Sequence, residues 1–467
     1  MDLLNNTIDF LNGILWTYLL VAMLIGCALW FTIRCKFVQI RMLRHLPVLF
    51  RSRASQAGDA NTARISSFQA FAISIASRVG TGNLAGVAVA IVLGGPGAVF
   101  WMWLIALLGA SSAFVESTLA QLYKVRGKSS FIGGPAYYMS KGLKKPWMGA
   151  IFSLLLIFTF GFAFNSVQSN TICQAFEEAF AIPPVYMGIA LTLGTLVIIF
   201  GGIQSIARVS SIIVPIMALG YMALALVIIA MHITSIPAVF SLIISHAFGW
   251  EQGLAGGLGA AIQQGIRRGL YSNEAGMGSA PNVAATADVS HPVNQGKVQA
   301  ISVFSDTLVI CSCTAFIILL GSVPTGAGAN GIKVTQMALS QQIGPCGNIA
   351  VAIAIFFFAY SSVLGNYYYG EANVQYLTPK PWALIAYRLL VALMVFFGSV
   401  ASLNLVWNLA DLFMGLMTIC NLIAIILLGK YAFRLLEDYR AQKRQGIANP
   451  VFTKDRMPDI ADDLDCW

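Results

Sequence analysis

The 467-residue chain is 58% hydrophobic and 10% charged, with a mean hydropathy of +0.76. That composition excludes a soluble domain and indicates a polytopic helical membrane protein, since a β-barrel would alternate polar and apolar residues. The net charge of +9 would suit a nucleic-acid binder, but the basic residues sit in short flanks of apolar segments, where positive charge sets topology, and nucleic acid is discounted as a partner.

Hydropathy places eleven spans near residues 14–33, 66–93, 97–122, 148–172, 183–201, 209–232, 255–286, 297–321, 347–376, 382–402 and 406–429. The first apolar run, Ile14 to Ile33, is followed by Arg34 and Lys36 and by no small-residue cleavage site, so it is expected to remain as a helix. Arg34, Lys36, Arg41, Arg44, Arg51, Arg53 and Arg64 separate the first two spans. Lys124, Arg126, Lys128, Lys141, Lys144 and Lys145 follow the third, and Lys430, Arg434, Arg440, Lys443, Arg444, Lys454 and Arg456 follow the last. The other side carries Lys333 beside Glu177, Glu178 and Glu251. Cytoplasmic loops collect basic residues, so the N-terminus is predicted outside and the C-terminus in the cytoplasm. The location implied is the plasma membrane, meaning the inner membrane of a Gram-negative cell.

The second span contains Ser77-Arg78-Val79-Gly80-Thr81-Gly82-Asn83, and the seventh contains Ser272-Asn273-Glu274-Ala275-Gly276-Met277-Gly278-Ser279. Glycine pairs and charges at membrane depth break a helix, and lipid cannot replace the lost hydrogen bonds, so both breaks are expected to line a protein cavity. Without the first span, ten remain as two sets of five, each opening with its broken helix. Five is odd, so the second set enters from the opposite side and the repeats are inverted. The predicted division is 1–65 for the extra helix and basic segment, 66–232 and 255–429 for the repeats, and 430–467 for a cytoplasmic tail. Gly94-Gly95-Pro96 reads as a tight turn, Phe131 to Tyr138 as the lead into a surface helix, and Ile233 to Trp250 as an external helix or lid. The mixed charge from Tyr439 to Trp467 reads as a partly disordered extension.

A small zwitterion needs donors for its carboxylate and acceptors for its ammonium. Half-helix N-terminal N–H groups at Gly82, Asn83 and Leu84 suit the first, and freed carbonyls around Ser77, Val79, Gly80, Ala275 and Gly276 suit an ammonium or a sodium ion. Packing of helices through small residues is the alternative reading of the same glycines. Glu274 and Arg78 either pair with each other or with freed backbone, or Glu274 tunes the cation site. Ser361 and Ser362, in the ninth span, are hard-oxygen candidates for sodium, though such serines also bond back to their own helix. Gln168 either touches substrate or joins helices. Glu116, Asp306, Glu371, Asp411 and Arg388 read as paired or snorkelling groups, and Arg267 and Arg268 as partners in a salt bridge. The eight cysteines include no CxxC pair and the four histidines lie far apart, so neither a disulfide, a zinc site nor an organic cofactor is expected.

Four motifs in order, Ala76 to Ala88, Gly94 to Trp103, Gly133 to Tyr138 and Ser272 to Asn282, resemble the alanine or glycine:cation symporter family of amino-acid carriers over nearly the whole chain. The resemblance implies an all-α membrane protein with a leucine-transporter-like five-plus-five inverted repeat and one additional N-terminal helix. It implies sodium-coupled uptake of alanine, glycine or serine by a monomer in the lipid bilayer. It also implies that Thr81, Gly82, Asn83, Gln168, Asn273 and Gly276 frame the substrate, and that Ser361 and Ser362 lie near the cation; the residues themselves add Ser77, Gly80 and Glu274 as cation candidates. Many members carry tryptophan where this chain has Asn366, so Asn366 is expected to make that side of the substrate pocket more polar and roomier. Proton-coupled symport and a passive pore are the competing readings. An enzyme is disfavoured, since neither Gly-x-Ser-x-Gly nor His-Glu-x-x-His occurs, and the absence of an ATP-binding motif leaves an ion gradient as the driving force.

Overall fold

In a bilayer every backbone N–H and C=O must be satisfied within its own segment, so the apolar runs fold as helices. A computed structural model of the chain describes residues 2–45, 65–127, 130–249, 255–321 and 331–467. Arg51, Arg53, Arg64, Lys128, Trp250 and Glu251 lie outside the described residues.

Helix α1 runs over Asn6–Arg34. The next span is broken into α2 (Ser67–Arg78) and α3 (Gly82–Gly94), which meet at 50°. After α4 (Ala98–Leu122) come a small antiparallel hairpin of β1 (Val125–Arg126) and β2 (Phe131–Ile132), then α5 (Pro135–Lys141). The chain continues through α6 (Pro146–Phe180), α7 (Pro184–Ile199), α8 (Gly202–Met231) and the short α9 (Ile236–Ala247). It then forms α10 (Ala255–Asn273), α11 (Pro281–Ala284), α12 (Pro292–Leu320), α13 (Ile332–Ile343), α14 (Cys346–Leu377), α15 (Pro381–Val400) and α16 (Leu403–Arg444). Proline opens α5, α6, α7, α11, α12 and α15, where its missing N–H does no harm. Ser66 caps α2 reciprocally: its Oγ accepts from Gln69 N–H (3.1 Å), and Gln69 Oε1 accepts from Ser66 N–H (2.9 Å).

Among the described residues eight helices are long and apolar enough to cross a membrane, nine if α2 and α3 count as one bent span. The two other expected spans are α7, only 16 residues long, and α10, which Gln263, Gln264, Arg267 and Arg268 make more polar. The count of eleven is therefore not established by length and hydropathy. The second break also differs from expectation. In place of two half-helices, α10 ends in a loop where Glu274, Gly276 and Gly278 take φ of 55°, 86° and 87°, and only the four-residue α11 follows. Three left-handed residues within five cannot propagate a right-handed helix.

Buried α4 lies at the centre against α1, α10, α12 and α16, while α14 packs on α2, α6, α8 and α13. The α2–α3 and α10–α11 breaks meet between these two groups. Four π-helical stretches occur among the described residues: Leu15–Leu19 in α1, and Gly82–Gly86 in α3, Ile157–Phe164 in α6 and Phe304–Cys311 in α12, the last three adjoining this meeting point. Such stretches widen a helix locally and are common at functional sites.

The tail is ordered, in contrast to the sequence expectation. α16 continues past residue 429 to Arg444, and the remaining chain docks across the basic end of the bundle. Phe452 N–H donates to Ser290 O (2.9 Å) and Trp467 Nε1 to Gln121 O (3.0 Å). Lys124 Nζ lies between the rings of Phe131 (4.2 Å) and Trp467 (4.4 Å). Arg434 holds Asp459 through two bonds (2.6 and 2.8 Å), Lys141 holds Asp465 (2.6 Å), and Lys144 holds Asp463. Mixed charge misled the composition argument because each of these acids meets a base, while Phe452, Met457, Ile460 and Leu464 are buried. Phe452→Ala is expected to destabilise the detergent-solubilised protein by about 3–5 kcal/mol, the range for truncating a buried phenylalanine. A lowered unfolding midpoint is the predicted reading; an unchanged midpoint would mean that the tail does not dock.

Candidate functional site

The first break is built by hydrogen bonds that replace those of a helix. Val79 N–H still donates to Ile75 O (2.8 Å), but Gly80 N–H turns to Asn83 Oδ1 (3.0 Å) and Thr81 N–H to Gln168 Oε1 (3.0 Å). Asn83 N–H reaches only as far back as Gly80 O (3.2 Å). The carbonyls of Ala76, Ser77 and Val79 thereby lose the partners that a continuous helix would supply.

Two of these carbonyls face α14. Ser362 Oγ lies 2.9 Å from Ala76 O, 3.4 Å from Val79 O and 3.1 Å from Phe358 O. Ser361 Oγ lies 2.9 Å from Phe358 O and 3.4 Å from Ala76 O. Two hydroxyl protons thus confront three carbonyl oxygens and the Met217 thioether, 3.8 Å from Ser361 Oγ, so acceptors outnumber donors in a buried cluster made mainly of oxygen. Hard oxygens of that kind fit a desolvated alkali cation, and the freed carbonyls of a broken helix are a recurrent source of them. Glycine permits the approach. A Cβ on Gly80 would collide with Ser362 Oγ and lie 2.8 Å from Gln168 Oε1, and one on Gly365 would lie 2.8 Å from Ser77 Cβ.

A second cluster lies on the other side of the break. Ser77 Oγ is 3.0 Å from Glu274 Oε1 and 2.7 Å from Asn366 Oδ1, while Glu274 Oε2 accepts from Ser279 Oγ (2.6 Å). Asn366 Nδ2 donates onward to Asn165 Oδ1 (3.2 Å). One serine proton cannot serve both acceptors, so either Glu274 carries a proton or the Asn366 amide turns over. Arg78 takes no part. It donates to Gln299 O (3.3 Å) and to Ser302 Oγ, and it forms no ion pair with Glu274.

The breaks touch each other. A Cβ on Gly82 would lie 3.0 Å from Ser272 Cα, and Thr81 Oγ1 is 3.2 Å from Tyr271 OH. Asp306, in the π-helical stretch of α12, ties the two together. Its Oδ1 accepts from Asn83 Nδ2 (2.7 Å), and its Oδ2 accepts from Ser272 Oγ (2.7 Å) and Thr307 Oγ1 (2.9 Å). At the second break Glu116 of α4 receives the N–H groups of Gly276 (3.2 Å) and Gly278 (3.1 Å), together with Asn421 Nδ2 (2.8 Å). Asn421 in turn accepts from Tyr138 OH. The left-handed glycines form an anion nest that the protein fills with its own carboxylate.

The expected residues therefore separate into distinct roles. Ser361 and Ser362 share one cluster with carbonyls of the first break, and Gly80 allows that contact. Ser77, Glu274 and Asn366 form a neighbouring cluster. Thr81, Gly82 and Gln168 line the first break. The Asn83 side chain and the Gly276 N–H are both occupied within the protein. Asn273 Oδ1 accepts from Ala275 N–H (3.0 Å), but its Nδ2 is buried without a partner, as is Trp407 Nε1. Aromatic rings adjoin them, with Tyr271 4.5 Å from Phe164 and 4.8 Å from Trp407. Arg267 (2.5 Å) and Arg268 (2.6 Å) both hold Asp411, as the salt-bridge reading anticipated. Glu116 and Asp306 were underrated, although an intramembrane carboxylate is itself a signal. Ala76, Val79 and Phe358 enter through backbone oxygen, which side-chain identity does not reveal.

Asn83 thus acts on the serine–carbonyl cluster at a distance, by taking the Gly80 N–H away from Ala76 O. Asn83→Ala is expected to raise the Na⁺ concentration for half-maximal uptake about tenfold, since restoring one helical bond removes one free carbonyl, worth roughly 1.5 kcal/mol to an ion. An unchanged sodium dependence would break that link.

A sequence profile described as the sodium:alanine symporter family matches residues 1–454. The probable sodium/glutamine symporter GlnT of Bacillus subtilis is 50% identical over 466 residues, covering 100% of this chain and 96% of the relative. The sodium/alanine symporter AgcS of Methanococcus maripaludis is 38% identical over 429 residues, covering 90% and 94%. Among solved structures, MhsT in complex with L-phenylalanine aligns with a TM-score of 0.55 at 15% identity, over 81% of this chain and 99% of that one. That likeness carries the fold alone, a leucine-transporter-like helical membrane fold. Like its relatives, the protein is a transporter and not an enzyme, and by the profile match and these identities it belongs to the sodium:alanine symporter family.

Proposed function

We propose that the protein is a secondary active symporter that takes up a small neutral amino acid, alanine, glycine or serine, together with sodium by alternating access. The observation that carries this reading is the surplus of oxygen acceptors where Ser361 and Ser362 meet Ala76 O and Val79 O. A sodium ion there binds α14 to the first break. The two elements belong to different repeats, taken as 66–232 and 255–429, so ion occupancy favours one arrangement of the repeats over the other. The orphan donors Asn273 Nδ2 and Trp407 Nε1 suit the substrate carboxylate, and the acceptor-rich Ser77–Glu274–Asn366 cluster suits its ammonium. Gly82, Thr81, Gln168 and the rings of Tyr271 and Phe164 border this place closely, which limits the substrate to a short side chain. Ion and amino acid order the same break, which supplies the coupling free energy. The protein works as a monomer in the plasma membrane, with its basic end and tail in the cytoplasm.

Glutamine is a second substrate reading, favoured by the name and 50% identity of GlnT. Equilibrium binding of labelled alanine to the purified protein, in sodium and in potassium, tests the proposal. Binding that requires sodium and is displaced by unlabelled alanine, glycine or serine is expected. Sodium-dependent binding of labelled glutamine with no specific binding of labelled alanine would move the substrate to the second reading, and sodium-independent binding would remove the ion from the site.

A further inference from the structure

A cleft of 710 Å³ lies where the end of α1 meets the extension of α16. Lys36 and Arg41 line one side, and Arg440, Lys443 and Arg444 the other. Glu437 and Asp438 oppose these five cations, but Asp438 is already held by His291 (3.1 Å) and Arg456 (2.5 Å). Like charges gathered this way raise one another's energy until an anion joins them.

The height of the cleft identifies the anion. Arg440 Nη2 donates to Cys35 O (2.8 Å), and Phe433 packs on Phe31 (6.2 Å between centroids). The cleft therefore sits immediately past Arg34, where the apolar run of α1 ends, which is headgroup depth. There the backbone passes through Lys36 and Phe37, both at φ 54°, a conformation that bulky L-residues rarely hold and that concentrates at binding sites. Lys36 lines the cleft, while Phe37 (52%) and Ile40 (53%) stay exposed, as do Ile33 and Trp30 on the last turns of α1. Apolar side chains exposed beside a basic cleft at this depth match an acyl chain joined to an anionic head.

We propose that this cleft binds the phosphate headgroup of an anionic phospholipid of the adjoining leaflet, with the acyl chains lying along Trp30, Ile33 and Phe37. Native mass spectrometry of the delipidated protein tests it, with phosphatidylglycerol and phosphatidylcholine of identical chains as probes. Phosphatidylglycerol is expected to be retained and phosphatidylcholine lost. Lys36→Gln with Arg41→Gln is expected to weaken phosphatidylglycerol retention about 30-fold, at the usual increment per surface cation. Arg444→Gln, on the exposed end of α16, is expected to weaken it about fivefold and serves if the double variant misfolds. Equal retention of the two lipids would overturn the proposal, as would unchanged retention in the variants. Displacement by inorganic phosphate at the concentrations at which lipid binds would assign the cleft to a soluble anion instead.

Discussion

Replacing both Ser361 and Ser362 with alanine is expected to raise the sodium concentration for half-maximal uptake by roughly two to four orders of magnitude, at about 1.5–3 kcal/mol for each hydroxyl interaction with a charge. The hydroxyls donate to Ala76 O, Val79 O and Phe358 O, and each can instead turn a lone pair towards an ion. Removing them leaves three carbonyls and no side-chain oxygen in the cluster. Alanine is smaller and a better helix former than serine, so α14 should fold and pack as before. Substrate affinity measured at saturating sodium should be nearly unaffected, which separates loss of an ion ligand from general damage. If sodium dependence is unchanged while uptake persists, the ion binds elsewhere.

Glu274→Gln is expected to reduce sodium-coupled uptake to the level of empty liposomes while the protein still inserts. Glu274 is 1% exposed and held by Ser77 (3.0 Å) and Ser279 (2.6 Å), at a non-glycine position with φ 55°. A backbone so constrained fixes the side chain in place, and the loop from Asn273 to Ser279 depends on it. Glutamine preserves the shape but cannot carry a negative charge in the cluster proposed to receive the substrate ammonium. It also replaces one acceptor by a donor opposite a serine. Burying an unmatched donor and losing the charge each disfavour the bound state by about 1–3 kcal/mol. Full sodium coupling in this variant would remove Glu274 from the transport site and leave it a bracing residue of the loop.

Both breaks were legible because Gly80, Gly82, Gly276 and Gly278 stand among charges and amides inside apolar runs, a pattern that a lipid-facing helix cannot carry. The serine pair was legible as polar groups at the depth of a break, and its alternative reading is met as well, since both hydroxyls bond back to Phe358 O of their own helix. What stayed hidden has identifiable causes. A carbonyl ligand has no sequence signature, so Ala76, Val79 and Phe358 appear only once the fold brings α14 onto the first break. Asn83 was expected at the substrate through its backbone N–H and the family resemblance; what stayed hidden is that its side chain, three residues past Gly80, caps the break while Asp306 accepts from its amide. Glu116 carried a signal, being a carboxylate at membrane depth, but its partners Gly276 and Gly278 lie 160 and 162 residues away. The docked tail was missed because composition counts charges without showing that Asp459, Asp463 and Asp465 each meet a base.

The central claim is that an inward sodium gradient drives amino-acid accumulation through the paired breaks. Uptake of labelled alanine, glycine and glutamine into proteoliposomes, under an inward gradient of sodium, of potassium or of protons, tests it directly. Accumulation of at least one of them above equilibrium with the sodium gradient alone is the predicted result. Accumulation with the proton gradient alone, or equilibration without accumulation under every gradient, would contradict it.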